Sequence, residues 1–383
     1  MNKYILILGQ STDLARQEAT NWLGSSPNKI LETGSNFLII ESESKAKEIM
    51  KNLGGTIKVA RLLDKLKSLE DLASFWIKNI PLSNEQKTNF GFSLYDGSHK
   101  EYSIIQSIAL DIKRELKSKH KIRLVSSREE QLSSVIVTKN KLIGSELVVI
   151  KKDEQWILGI TEAVQDFAKY GLRDMKRPNR DDKSGMLPPK LAQMMLNLAG
   201  SERNKTILDP FCGSGTVLQE AMLLGFEKIY GTDVSDKAVN DAIANTDWLI
   251  KTFNLKIKPK INKINIKSIS RSFSNEYFDL IVSEPYMGDA RFIQRQKSVA
   301  HLDKIRNELQ ELYNDAFEQF KKILKKSGKI VFIFPIFDIH DKQLHTLDKQ
   351  IIQNLGFELV GKPLIYHRPN QKVHREITIW KIK

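Results

Sequence analysis

The stretch Asp209-Pro210-Phe211-Cys212-Gly213-Ser214-Gly215-Thr216 constrains this chain more than any other. It follows the apolar run Thr206-Ile207-Leu208 and opens onto a helical pattern at 217–224, so the glycines fall in the turn between a strand and a helix. Glycine there lets the main chain turn tightly and approach a ligand with no Cβ in the way. The free amides of the following helix favour a carboxylate or phosphate. The surrounding pattern repeats the same alternation: helix 189–198, strand 205–208, helix 217–224, strand 228–230 and helix 236–252, with apolar strands at 278–282 and 329–334. This predicts an α/β fold, a doubly wound sheet whose ligand crevice lies at the carboxyl ends of its strands.

Local chemistry separates the ligands that such a turn can take. A nucleoside triphosphate wants G-x-x-x-x-G-K-[ST], and no lysine stands here; a dinucleotide wants G-x-G-x-x-G, and the third position is Leu218. S-adenosylmethionine is the remaining candidate cofactor. The next strand ends at Asp233, about 20 residues after the glycines, the spacing at which a carboxylate meets ribose hydroxyls. A ribose diol donates two hydrogen bonds, and an acceptor-only carboxylate suits it. The competing reading is that Asp233 caps the helix beginning near Ser235.

A later apolar strand, Phe278-Asp279-Leu280-Ile281-Val282, runs straight into Ser283-Glu284-Pro285-Tyr286 beside the same crevice. Methyl transfer to an exocyclic amine needs acceptors that hold its N–H groups and aim its lone pair. The Ser283 hydroxyl and the Glu284 carbonyl suit that task, Pro285 stiffens the turn, and Tyr286 would stack on a base taken out of its own stack.

The N-terminal half reads differently. Strand 4–8, a helix at 13–23 capped by Ser11 or Thr12, strands near 30–31 and 37–40, helix 44–53 and strand 56–60 give the order βαββαβ, a ferredoxin-like arrangement. Helices at 69–77 and 98–117 with strands at 90–94, 122–125, 135–137, 146–150 and 156–160 predict a second small α+β unit. A polar segment with Pro178 follows, whose Arg173, Asp174, Arg177 and Arg180 would contact RNA or close over the cofactor. The expected organisation is a ferredoxin-like domain at 1–61, a second domain at 62–165, a connector at 166–186 and a catalytic domain at 187–383.

Charge points to the partner. The chain has 60 Lys plus Arg against 46 Asp plus Glu, a formal charge of +14. Residues 251–271 hold seven basic side chains and no acid, and Lys321, Lys322, Lys325, Lys326 and Lys329 crowd a second stretch. A third (Lys113, Arg114, Lys117, Lys119, Lys121, Arg123, Arg128) lies in the N-terminal half. Basic runs in both halves fit an extended nucleic acid better than a small anion. Cys212 is the one cysteine, so neither a disulfide nor a cysteine zinc site is expected, the histidines show no ligand spacing, and no metal is assigned. No apolar run reaches the roughly 18 residues of a membrane span, and the expected location is the cytoplasm.

The glycine turn, the acid at the next strand end and the turn at 283–286 together resemble the amino-group methyltransferases of the class I Rossmann type. Gly185-Met186-Leu187-Pro188-Pro189-Lys190-Leu191-Ala192, the preceding α+β region and His374-Arg375 near the last strand narrow the resemblance to the THUMP-containing tRNA guanine-N2 methyltransferases. That resemblance implies a THUMP-like RNA-binding domain at 62–165, tRNA as partner, and S-adenosylmethionine held by Asp209, Pro210, Phe211, Gly213, Gly215 and Thr216, with Asp233 on its ribose. It implies Ser283, Glu284, Pro285 and Tyr286 on the target base. Two departures stand out. Ser283-Glu284 replaces the family's Asp-Pro, and the acid expected on the adenine is absent, leaving Ser268. A DNA adenine-N6 methyltransferase and a catalytically weakened RNA-binding protein of the same fold are the alternatives.

Overall fold

Tyr4 to Leu8 are all buried because β1 (Asn2–Leu8) runs through the middle of a sheet, between β3 (Phe37–Ser42) and β4 (Thr56–Leu66). The computed structural model describes residues 1–24, 28–80, 82, 87–180, 186–288, 299–339, 342–346, 348–368, 371 and 373–383, and it divides into the units Met1–Ala168 and Lys169–Lys383. In the first unit β1, α1 (Thr12–Leu23), β2 (Lys29–Thr33), β3, α2 (Ala46–Asn52) and β4 follow in the ferredoxin-like order, with sheet order β2-β3-β1-β4. The sheet continues through β8 (Gln155–Val164), β7 (Glu146–Lys152), β5 (Thr88–Tyr95) and β6 (Ile122–Leu124), because β4 pairs antiparallel with β8. On that seam Lys58 and Glu146 form an ion pair, both almost fully buried. The Ser93 and Thr161 hydroxyls donate to Glu146 at 2.6 and 2.7 Å, and the Leu132 carbonyl accepts from Lys58 at 3.3 Å. Such complete pairing is what lets two charges sit inside a sheet.

Residues 135–137, expected as a strand, belong instead to the helix α5 (Ser134–Lys139). Their β-branched composition argues for a strand, but β7 already has neighbours on both sides, and Ser133 caps the turn by accepting from the Ile136 amide. Helix α3 (Leu72–Asn79) and the 18-residue α4 (His99–Leu116) pack Trp76, Tyr102 and Ile105 onto Phe90, Phe92 and Leu158 of the sheet.

The second unit is the doubly wound sheet. Its order is β11-β10-β9-β12-β13-β17-β15, built from β9 (Thr206–Asp209), β10 (Lys228–Asp233), β11 (Lys260–Lys263), β12 (Phe278–Ser283), β13 (Leu324–Ile339), β15 (Phe357–Leu359) and β17 (Val373–Ile382), with β14 (Lys342–His345) paired to β13 and β16 (Leu364–Tyr366) to β17. The strands from β11 to β13 are parallel and β17 is antiparallel to β13. From β9 the chain builds outward to β10 and β11, then returns to the other side of β9 as β12. The strand order therefore reverses between β9 and β12, and such a reversal opens a crevice beyond their carboxyl ends. Phe317, Phe320, Phe332, Phe334 and Trp380 close the core between the sheet and α10 (Val299–Ile323).

The polar segment expected as a connector carries a helix, α6 (Phe167–Met175); its residues 181–185 lie outside the described part. Within the second unit Arg173 is buried against Glu220 of α8 (Thr216–Leu224), with Nε donating at 2.6 Å and Nη2 at 3.2 Å. Arg177, also buried, donates to the Thr216 hydroxyl at 2.7 Å.

Candidate active site

The glycine turn leaves the end of β9 at Asp209 and delivers the chain to α8. Gly213 and Gly215 have φ of +49° and +85°, values that L side chains strain to reach. A Cβ on Gly215 would lie 3.2 Å from that of Ala242 in α9 (Asp236–Phe253), so this glycine also lets the two helices approach. Around Gly213 there is open space, which leaves its main chain accessible. The Gly213 amide donates to Asp233 Oδ2 at 3.0 Å and the Ser235 amide to Oδ1 at 3.0 Å. Asp233 therefore ties the turn to Ser235, while the cap of α9 is Ser235 itself, whose hydroxyl accepts from the Ala238 amide at 3.4 Å. Each of its oxygens still has one lone-pair direction to offer, which matches the two donors of a ribose diol.

A cavity of about 640 Å³ opens at this point. Its wall includes Asp209, Pro210, Phe211, Cys212, Gly213, Thr216 and Asp233, then Val234, Ile264, Asn265, Ile266 and Lys267, and closes with Met186, Leu187, Glu284, Pro285 and Tyr286. Gly215 is not in the wall; it caps α8 behind it. Ser268 is not in the wall either. Its hydroxyl turns back to the Asn265 carbonyl at 3.2 Å, and the wall positions after β11 are Asn265 to Lys267.

Asp209 is buried and its carboxyl is pushed up to about 7, chiefly by burial, with Asp233 and Glu284 adding to the shift. Hydrogen bonds from the Ser283 hydroxyl at 2.6 Å and the Phe211 amide at 3.3 Å oppose it. Burial likewise pushes the Cys212 thiol up, which leaves it a small apolar filler. The parallel pairing of β9 with β12 sets Ser283 beside Asp209, and Ser283 is fully buried. Its hydroxyl faces that carboxylate rather than the cavity.

The rest of the turn is held from two sides. Glu284 accepts from Arg375 Nε of β17 at 2.6 Å, an ion pair with side chains only 11% and 5% exposed. Burial raises the Glu284 carboxyl and Arg375 lowers it, the burial contribution being larger. The Tyr313 hydroxyl of α10 donates to the Tyr286 carbonyl at 2.9 Å. Tyr286 itself is 57% exposed, an aromatic ring on a fixed main chain at the cavity mouth.

Sequence reasoning missed Asn245. It is buried, its Oδ1 accepts from the Asn179 amide at 2.9 Å, and its Nδ2 donates to the carbonyls of Asn179 and Ser214 at 2.9 Å each. It thereby stitches the segment before α7 (Pro189–Ala199) to the glycine turn. A signal was present: Asn245 falls in the apolar stripe of α9 with Val239, Ala242 and Leu249, and a polar residue there needs partners. Arg375 was marked in the sequence only through the resemblance, as part of His374-Arg375; its pairing with Glu284 was not legible, because only folding brings β17 to the turn at 283–286.

A family model described as an RMKL-like methyltransferase domain matches residues 177–346, and one described as DNA methylase matches 31–245. The chain is 31% identical over 148 residues to a protein of Methanothermococcus thermolithotrophicus named a probable tRNA (guanine(10)-N2)-dimethyltransferase, covering 78% of that protein and 37% of this one. The chain belongs to this methyltransferase family. A tRNA (guanine(10)-N2)-dimethyltransferase of Pyrococcus abyssi is 27% identical over 198 residues, 51% of this chain and 50% of that protein. The chain thus spans about half the length of that relative. TrmN from Thermus thermophilus superposes over 100% of both chains with a TM-score of 0.59 at 15% identity, a likeness of fold that includes the N-terminal unit. As a family member the catalytic unit uses S-adenosylmethionine. Among the described residues no group of three His, Cys, Asp or Glu side chains is placed to hold a metal ion, and no helix is long and apolar enough to cross a membrane.

Proposed function

We propose that this protein methylates the exocyclic N2 amine of a guanosine in tRNA. The observation that carries the reading is the Ser283 to Tyr286 turn. It stands at the strand-order reversal, is anchored by Arg375 and Tyr313, and presents an exposed ring at the mouth of a cavity whose far wall offers a diol acceptor. The cavity volume lies within the range of small-molecule sites, and the two remaining lone pairs of Asp233 fit a ribose. Asp209, Pro210, Phe211, Gly213 and Thr216 would surround the methionine part, and Val234 and Ile266 the base. Bound there, S-adenosylmethionine supplies a methyl group already activated as a sulfonium.

The chain's own residues then position. The Glu284 carbonyl accepts an amine N–H, Tyr286 stacks on the target base, and Pro285 with the Arg375 pair keeps both still. Holding reactants in line supplies much of the acceleration in such transfers, so the want of a catalytic histidine or thiolate is no obstacle. The buried Asp209 and Ser283 brace the strand ends beneath.

In the first unit we read residues 1–61 as ferredoxin-like and 62–165 as a THUMP-like RNA-binding part. Exposed Arg114, Lys117, Lys119, Lys121 and Arg123 between the end of α4 and β6 support this. A cytoplasmic location belongs to the same reading. The DNA methylase match favours adenine-N6 of DNA as a second target, but it ends at residue 245, before the turn that would hold a base. Labelled S-adenosylmethionine incubated with unmodified tRNA transcripts or duplex DNA, followed by nucleoside mass analysis, tests these readings, with Asp209→Ala as control. N2-methylguanosine in tRNA alone is the expected result. Methyl groups in DNA, or none despite cofactor binding, would overturn it in favour of the DNA enzyme or the weakened RNA binder.

A further inference from the structure

Strand β11 is the open edge of the catalytic sheet, and it carries lysines from one end to the other. At its carboxyl end Lys263 pairs in register with Asp233, and Lys267 just beyond lines the cavity. At its amino end Lys260 pairs in register with Tyr230, and its ammonium lies 5.4 Å over that ring. Lys228, at the start of the neighbouring β10, is exposed at the same end. The Tyr230 hydroxyl is 2.6 Å from that of Tyr277, whose exposed ring stacks with Phe273 at 6.0 Å and 30°. Lys260 thus sits over the ring whose hydroxyl meets Tyr277, and Lys228 begins the strand that carries that ring.

We propose that this edge is a track for the RNA backbone. It runs from Lys267 at the cavity rim along Lys263 and Lys260 to Lys228, and the Tyr277 ring at its far end stacks on a base. The inference rests on the reading of the substrate as RNA. Three acids contact lysines in this region: Asp236 with Lys263 at 2.6 Å, Asp315 with Lys267 at 2.9 Å and Asp247 with Lys258 at 2.9 Å. In all three pairs the lysine is exposed and the acid at least about a third exposed, so they contribute little and a phosphate can displace them. With a rise of about 3.3 Å per residue, Lys260 and Lys263 stand roughly 10 Å apart, so the lysines follow a line rather than converge on one small anion. The competing role for edge lysines is to block pairing with another sheet. That role does not require an exposed aromatic ring at the same end of the sheet, which is what a sequence-tolerant single-strand contact uses.

The test is binding of an unmodified tRNA transcript, without cofactor, across a salt series. The proteins compared are wild type, Lys228→Glu/Lys260→Glu, Tyr277→Ala and Tyr277→Phe, all full-length, with melting temperature and cofactor affinity as folding controls. The double variant should lose about tenfold or more in affinity and flatten the slope of log K against log salt by about 1.4, two single-strand contacts at about 0.7 each. Tyr277→Ala should lose at least about fivefold while Tyr277→Phe binds as wild type. In methyl transfer, KM for RNA should rise with kcat unchanged. Wild-type affinity and slope in the double variant would overturn the inference and leave the lysines as edge guards. No tRNA binding by the wild type would instead sink the proposed function, and this inference with it.

Discussion

At the scale of single residues, Asp209 makes the protein's stability depend on pH in a defined sense. Its carboxyl titrates near 7 in the folded chain against an ordinary value of 3.8. Between those values the folded state keeps a proton that the unfolded chain has released, so stability falls as pH rises from about 4 to 7 and levels off above. The contribution is on the order of 4 kcal/mol at most. Asp209→Asn should therefore melt with a flatter pH dependence between pH 5 and 8 than wild type, by calorimetry without cofactor; identical slopes would contradict the assignment. Tyr286 poses the opposite case, an exposed ring whose loss costs the fold little. Tyr286→Ala should leave the melting temperature within a degree or two and raise KM for RNA about 5- to 150-fold, from about 1–3 kcal/mol of lost stacking. Steady-state kinetics beside Tyr286→Phe would check it.

Elements meet at two buried junctions. Arg375 of β17 holds Glu284 of the turn at 283–286, and taking away one charge strands the other. Arg375→Ala should cost about 3–5 kcal/mol in urea unfolding, and adding Glu284→Ala should restore most of it. Asn245 of α9 holds the glycine turn through the Ser214 carbonyl and the segment before α7 through Asn179. Asn245→Ala should weaken cofactor binding about tenfold by titration calorimetry, a loss of about 1.4 kcal/mol, with α8 and α9 still formed. At this scale the strand-turn-helix of the cofactor side was legible, because glycine at 213 and 215 and the acid at 233 act over short sequence distances. Helix α5 was not: its β-branched run obeys a local cap and a sheet with no vacancy beside β7, and neither is written in the run itself.

For the whole molecule, each unit has its own sheet and core, with β1 to β8 in one and β9 to β17 in the other. Residues 166–383 expressed alone should therefore melt cooperatively and bind S-adenosylmethionine near wild-type affinity, while tRNA affinity falls. Calorimetry and filter binding would show both. The formal charge of +14 is a sum over the chain and does not say where the basic side chains lie. Within 251–271 the structure puts Lys260 and Lys263 on the edge strand and pairs Lys258, Lys263 and Lys267 with Asp247, Asp236 and Asp315, which no count along the chain displays. The sequence by itself determined the alternation of strands and helices, the glycine turn and the acid one strand later, because periodicity and turn chemistry are local. Tertiary structure alone decided that Ser283 would face Asp209, that Arg375 would neutralise Glu284 and that Asn245 would brace the turn. Those pairs lie 74, 91 and 31 residues apart in the chain; the order of strands in the sheet brings the first two together, and the packing of α9 against the glycine turn the third.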